Sequence, residues 1–105
     1  MTPEQQRIAI AEACGWTDIE KQSYNGTYRG RRPRPATTWV AELPNYLSNL
    51  NACHDMEKAL SPSQWPKYVT FLRGITSDRA GEGLVFATAA QRCEAFLRTI
   101  NLWTP

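Results

Sequence analysis

Arg29, Arg31, Arg32 and Arg34 fall within six residues, and Tyr24, Tyr28 and Trp39 flank them. Guanidinium forks hold phosphates through paired N–H donors, and aromatic faces stack on nucleobases, so this combination suits a nucleotide or a nucleic acid. From Lys21 to Ala36 the chain carries five basic residues and no acid; with a net charge of +2 overall, the remainder stands at −3. A mildly acidic body thus bears one basic segment. Gly30, Pro33 and Pro35 shape that segment without making a phosphate loop, because no GxxxxGK[ST] pattern occurs. The competing reading is a solvated loop whose arginines pair with acids of the body.

A second place for an anion is the helix start at Ala87-Thr88-Ala89. Unpaired amides and the helix dipole attract negative charge there, and Arg92, one turn on, adds to it. The same residues also read as an ordinary capping box, Thr88 with Gln91.

Nothing in the chain assembles a catalytic set. His54, the single histidine, lies between Cys53 and Asp55. Neighbours on a helix point about 100° apart, so these three cannot form a nucleophile–base pair, and His54 reads as structural. The acids are scattered without a general acid/base or metal spacing. Cys14, Cys53 and Cys93 are odd in number and lack ligand spacing, which predicts buried free thiols rather than a disulfide framework or a zinc site. The expectation is a binding protein without enzyme activity, cofactor or metal.

These residues need elements to position them. Thr2, Pro3 and Gln5 open a first helix with Ile8, Ala11 and Cys14 on its apolar stripe, and Gly15 ends it with Trp16 folding back. A short strand is expected between residues 16 and 24, then a turn at Asn25-Gly26. Residues from Tyr28 to Pro35 lack any apolar period and predict an exposed basic loop at about 25–36. Thr37-Thr38-Trp39-Val40 favours a second strand. Ser48 is the expected cap of a helix reaching Leu60, with Leu50, Cys53, Met56 or Glu57, and Leu60 as its stripe. Ser61 and Gln64 form a further capping box ahead of Trp65, Tyr68, Val69 and Leu72, with Pro66 favouring a regular start only there. A loop is predicted from Gly74 to Gly83, a strand over Leu84-Val85-Phe86-Ala87, and a last helix from Thr88 with Asn101 as its left-handed terminator.

That order, α-β-β-α-α-β-α, fits one α+β domain over residues 1–105: a three-layer α/β/α sandwich with about four helices and a short, mostly antiparallel sheet. The length supports one core, and hydrophobic and charged fractions of 42% and 21% are those of a globular chain. The N-terminus has neither a basic region nor an apolar run, and no stretch approaches a membrane span. The expected location is therefore the cytoplasm.

Two stretches, Pro44-Asn45-Tyr46-Leu47-Ser48-Asn49-Leu50-Asn51-Ala52-Cys53-His54-Asp55-Met56-Glu57-Lys58 and Ala87-Thr88-Ala89-Ala90-Gln91-Arg92-Cys93-Glu94-Ala95-Phe96-Leu97-Arg98-Thr99, together with Ile8 to Trp16, resemble the phage ABA sandwich domain, a family of small phage and prophage proteins. The resemblance skips the basic segment. It implies an α/β/α sandwich in a phage setting, hence the host bacterial cytoplasm, and no catalytic residues.

By analogy with phage biology, the leading expectation is a counter-defence protein that sequesters a nucleotide-derived immune signal, such as a cyclic oligonucleotide or a cyclic ADP-ribose. The expected ligand residues are Tyr24, Tyr28, Arg29, Arg31, Arg32, Arg34, Trp39, Thr88 and Arg92. A chain this small is expected to build such a pocket as a homo-oligomer. Nucleic-acid binding through the arginines and protein–protein inhibition of a host factor are the alternatives.

Overall fold

Thr2 starts helix α1, Pro3–Ala13, in a computed structural model that describes residues 1–22, 26–32, 40–76 and 87–105. Thr2 Oγ1 accepts from the Gln5 amide at 3.1 Å and Gln5 Oε1 accepts from the Thr2 amide at 2.9 Å, so the expected capping box forms. The buried face centres on Ile10 and Ala11, with Ile8 and Cys14 on its border rather than at its middle. Gly15 takes φ +99°. Its amide donates to Glu12 O and the Trp16 amide to Ala11 O, at 3.1 and 3.0 Å. This pair of bonds satisfies the last carbonyls and returns the chain so that Trp16 is buried against the core.

Three antiparallel strands follow in spatial order β1-β2-β3: β1 Thr17–Lys21, β2 Tyr28–Arg31 and β3 Val40–Glu42. The second of these corrects the reading of residues 28–31 as a loop. The period of two is present, but its inward position is Gly30, which has no side chain to reveal it. Ile19, Tyr28 and Ala41 pack against the core. A Cβ at Gly30 would lie 3.0 Å from both Ile19 Cγ1 and the Thr17 carbonyl, so a side chain here would press β1 outward by a few tenths of an ångström. Asp18 has φ +51° at an irregularity in the β1–β2 register, a conformation that a short polar side chain tolerates. Of the expected second strand, Val40 begins β3, while 37–39 lie outside the described residues, as do Asn25 of the predicted turn and Leu84 to Phe86 of the predicted last strand.

Asn49, not Ser48, caps helix α2, Leu50–Glu57; its Oδ1 accepts from the amides of Asn51 and Ala52 at 2.9 and 3.2 Å. The helix stops at Glu57 rather than Leu60, and Leu50 is 51% exposed while Ala52 takes its place on the buried face. Helix α3 spans Trp65–Thr76 and passes through Gly74, where a loop was expected. Leu72 is buried and Ile75 packs on the core, and this burial offsets the roughly 1 kcal/mol that a mid-helix glycine costs.

Helix α4, Ala89–Thr99, opens on the Thr88–Gln91 capping box and ends at Asn101, φ +62°, where the Leu102 amide donates to Leu97 O at 2.9 Å. It buries Ala89, Cys93, Ala95, Phe96, Leu97 and Thr99, and it touches α1, α2 and, most extensively, α3. The chain is thus an α+β fold of four helices and a three-stranded antiparallel sheet among the described residues, with α4 as the helix around which the others gather. None of these helices is long and apolar enough to cross a membrane.

Candidate functional site

Among the described residues, the arginines of the basic segment fall in two places, Arg29 and Arg31 on the sheet and Arg32 at a cavity. Arg29 and Arg31 share the outer face of β2, because Gly30 between them faces the core. Arg29 stands opposite Glu20 of β1 and Glu42 of β3, and Arg31 Nε lies 2.8 Å from Asp18 Oδ2. Acids therefore alternate with these two bases across the sheet. Cross-strand pairs of this kind favour the sheet itself over a phosphate-tracking surface. Tyr28 is half-buried with the Lys21 ammonium 6.0 Å from its ring centre. Tyr24, Arg34 and Trp39 lie outside the described residues.

The second predicted place is filled from within. Thr88 Oγ1 accepts from the Gln91 amide at 3.1 Å, and Arg92 turns inward. Arg92 Nε donates to Ala87 O at 3.2 Å, and its Nη1 lies 3.3 Å from Glu57 Oε2. Glu57, only 7% exposed, also accepts from the Tyr68 hydroxyl at 2.6 Å. His54 Nδ1 approaches the other carboxylate oxygen at 3.5 Å from a side chain that is 70% exposed. This group ties α2 to α3 and α4, and it gives Arg92 a structural duty. Burial, together with the carboxylate that its hydroxyl donates to, holds the Tyr68 phenol protonated well above its usual range.

Arg32 goes elsewhere. At the end of β2 it lines a cavity of about 510 Å³ with Cys14 and Trp16 from the end of α1. Glu42, Pro44 and Tyr46, from β3 and the connection to α2, and Asp55 of α2 also line it among the described residues. Each wall has a mechanical cause. The α1 terminator places Cys14 and Trp16. Arg7 Nε donates to Pro44 O at 2.9 Å and its Nη2 to Leu43 O, which fastens the connection to α1. The Cys53 thiol donates to Tyr46 O at 3.0 Å and fixes the start of the turn ahead of α2.

At the cavity the Tyr46 hydroxyl lies beside the Cys14 thiol and the Trp16 indole N–H, which can only donate. Burial pushes the Tyr46 phenol far up, and the neighbouring Cys14 adds to this. Burial likewise raises the Cys14 thiol, and the Asp55 carboxylate works in the same direction, against the neighbouring Tyr46 hydroxyl. Both groups stay neutral at physiological pH, and a protonated thiol is a poor nucleophile. Cys53 and Cys93 are buried free thiols, as expected, and Cys14 is half-buried.

Of the predicted ligand residues, then, Arg32 alone among the described ones reaches this cavity. Trp16, Tyr46, Glu42 and Asp55 escaped sequence reasoning as ligand groups. They come from separate elements with no shared spacing, and only the chain reversal at Gly15 was a sign that Trp16 would be brought inward. No family model, no curated protein and no solved structure matches this chain. The site itself must carry the functional reading.

Proposed function

We propose that this chain is a small-molecule-binding domain that takes a nucleotide-type ligand in the Arg32 cavity and holds it without chemical turnover. The observation that carries this reading is that Arg32, the described end of the arginine-rich segment, lines the same cavity as Trp16 and Tyr46. A guanidinium supplies paired donors for one phosphate group, the aromatic lining supplies the apolar body of the site, and about 510 Å³ lies within the range of small-ligand pockets. The absence of turnover is supported by the chemistry of Cys14, whose thiol is kept protonated by burial, and by the placement of His54 on a solvent-facing position beside Glu57. A domain that holds a ligand without converting it lowers that ligand's free concentration, which is the mode of action of a sponge for a nucleotide-derived signal. The acids interleaved with Arg29 and Arg31 on the sheet weigh against nucleic acid as the partner.

Isothermal titration with purine mononucleotides tests this. Arg32→Ala is expected to weaken binding by about tenfold to a hundredfold, the worth of hydrogen bonds to a charged group. Arg31→Ala, which loses only the exposed pair with Asp18, is expected to bind within about twofold of the native chain. Equal losses in the two variants, or binding of duplex DNA with steep salt dependence and no mononucleotide binding, would move the site to the sheet face and overturn the reading.

A further inference from the structure

Two of the three cysteines meet in the core. Cys53 of α2 and Cys93 of α4 are both 0% exposed, and their thiols lie side by side. The backbone explains the meeting. Cys53 Sγ stands 3.7 Å from Ala89 O, the carbonyl one helical turn before Cys93. A helical side chain leans back over the turn before it, so Cys93 reaches the same spot from its own helix. Cys53 also donates to Tyr46 O at 3.0 Å, and Tyr46 lines the cavity with Trp16. With the Cys53 hydrogen directed to this nearer acceptor, its sulfur lone pairs are left to Cys93.

We infer that Cys53 and Cys93 are a redox pair that closes to a disulfide in the folded chain, and that closure releases Tyr46 O. A disulfide sulfur has no hydrogen to donate, so the bond that fixes the start of the turn ahead of α2 is given up. An S–S bond is about 2.05 Å long, shorter than any contact between two thiols, so closure also draws Cys53 toward α4 and away from Tyr46. The oxidant is a peroxide. Cys53, as the thiolate, attacks one peroxide oxygen; the O–O bond breaks, a sulfenic acid forms on Cys53 and hydroxide leaves. The Cys93 sulfur then attacks Cys53; the S–S bond forms, the S–O bond breaks and the oxygen departs as water with the thiol protons. The balance is two thiols and one hydrogen peroxide to one disulfide and two waters. The roles differ because Cys93 beside it lowers the Cys53 thiol, against the burial that raises it. The neighbouring Cys53 and burial hold Cys93 protonated until it reacts.

The test is treatment of the reduced, folded full chain with hydrogen peroxide, read by intact mass and peptide mapping. The native chain is expected to lose two hydrogens, about 2 Da, with the Cys53 and Cys93 peptides joined, and dithiothreitol is expected to restore the mass. An unfolded chain would not choose this pair. Cys14 and Cys53 are 39 positions apart and Cys53 and Cys93 are 40, so the two loops close about equally often. Exclusive linkage of Cys53 to Cys93 therefore reports their folded placement. Cys53→Ser, whose hydroxyl can keep the bond to Tyr46 O, and Cys93→Ala, which leaves the Cys53 bond in place, are both expected to lose no hydrogens; melting temperatures check that they fold. In the oxidised native chain the nuclear magnetic resonance signal of the Trp16 indole N–H, beside the Tyr46 hydroxyl, is expected to shift and to return on reduction. Three free thiols after treatment, oxygen added only at the half-buried Cys14, or a mixture that includes a Cys14–Cys53 link overturns the pair. A joined pair with an unmoved Trp16 indole overturns the release of Tyr46.

Discussion

Arg92→Ala is expected to cost about 3–5 kcal/mol of folding stability, the loss that follows when one partner of a buried ion pair is removed. The side chains of Arg92 and Glu57 are 15% and 10% exposed, so solvent screens little of their interaction. Without the guanidinium, the Glu57 carboxylate keeps the Tyr68 hydroxyl as its near donor, and the Ala87 carbonyl loses the bond that holds it at the entrance to α4. A domain of this size has roughly 5–15 kcal/mol in total, so this single change removes a large share. Urea denaturation followed by circular dichroism measures it. A double variant, Glu57→Met with Arg92→Met, is expected to recover part of the loss, because it removes both charges from the buried site. A loss below about 1 kcal/mol in Arg92→Ala would return the arginine to the surface and make it available to a ligand after all.

Phe96→Ala carries the other large effect. Phe96 is 1% exposed and sits on α4, the helix that touches the three others. Truncating a fully buried phenylalanine removes its transfer free energy and leaves a cavity, together about 3–5 kcal/mol. The variant is expected to melt well below the native chain and to show a lower urea midpoint with an unchanged slope, since the same surface is exposed on unfolding. Phe96→Leu, which refills much of the volume, is expected to lose less than about half as much. Equal losses in the two variants would mean that ring shape rather than volume sets the packing here.

The helix ends were legible because their signals are local. Thr2 with Gln5, Thr88 with Gln91, Gly15 and Asn101 each act through backbone bonds to residues within six positions, and all four take the roles their types imply. The α+β class and the count of helices followed from those ends. What failed depended on partners far along the chain. β2 reads as a loop because its core-facing residue is Gly30, whose lack of a side chain is the very feature that admits Ile19 and the Thr17 carbonyl. Gly74 marks a break by composition, yet Leu72 and Ile75 on either side are drawn to the core and carry α3 through it. Arg92 looked like a ligand group one turn into a helix; Glu57, thirty-five residues earlier, claims it.

The site was legible in one part. The arginine-rich segment is the compositional anomaly of the sequence, and one of its members, Arg32, does line a cavity. The remainder of that cavity comes from the ends of α1 and β3, the following connection and α2, and no spacing rule joins Cys14, Trp16, Glu42, Tyr46 and Asp55. Two of the segment's other arginines meet acids that β1 and β3 bring beside them. A count of charges along the chain sees the bases as a run; the sheet interleaves them with Asp18, Glu20 and Glu42. A charge count along the chain therefore does not show how the described bases and acids of this segment are arranged across the sheet.

The central claim is that a nucleotide occupies the cavity beside Arg32. Titrating the isotopically labelled chain with GMP and following the backbone amides and the Trp16 indole N–H by nuclear magnetic resonance tests it most directly. The account predicts that the largest shifts fall on the Trp16 indole and on the amides of Arg32, Tyr46 and Asp55, with Arg29 and Arg31 little moved. Saturating shifts centred on Arg29 and Arg31, or no shifts at the Trp16 indole at any concentration, would contradict it.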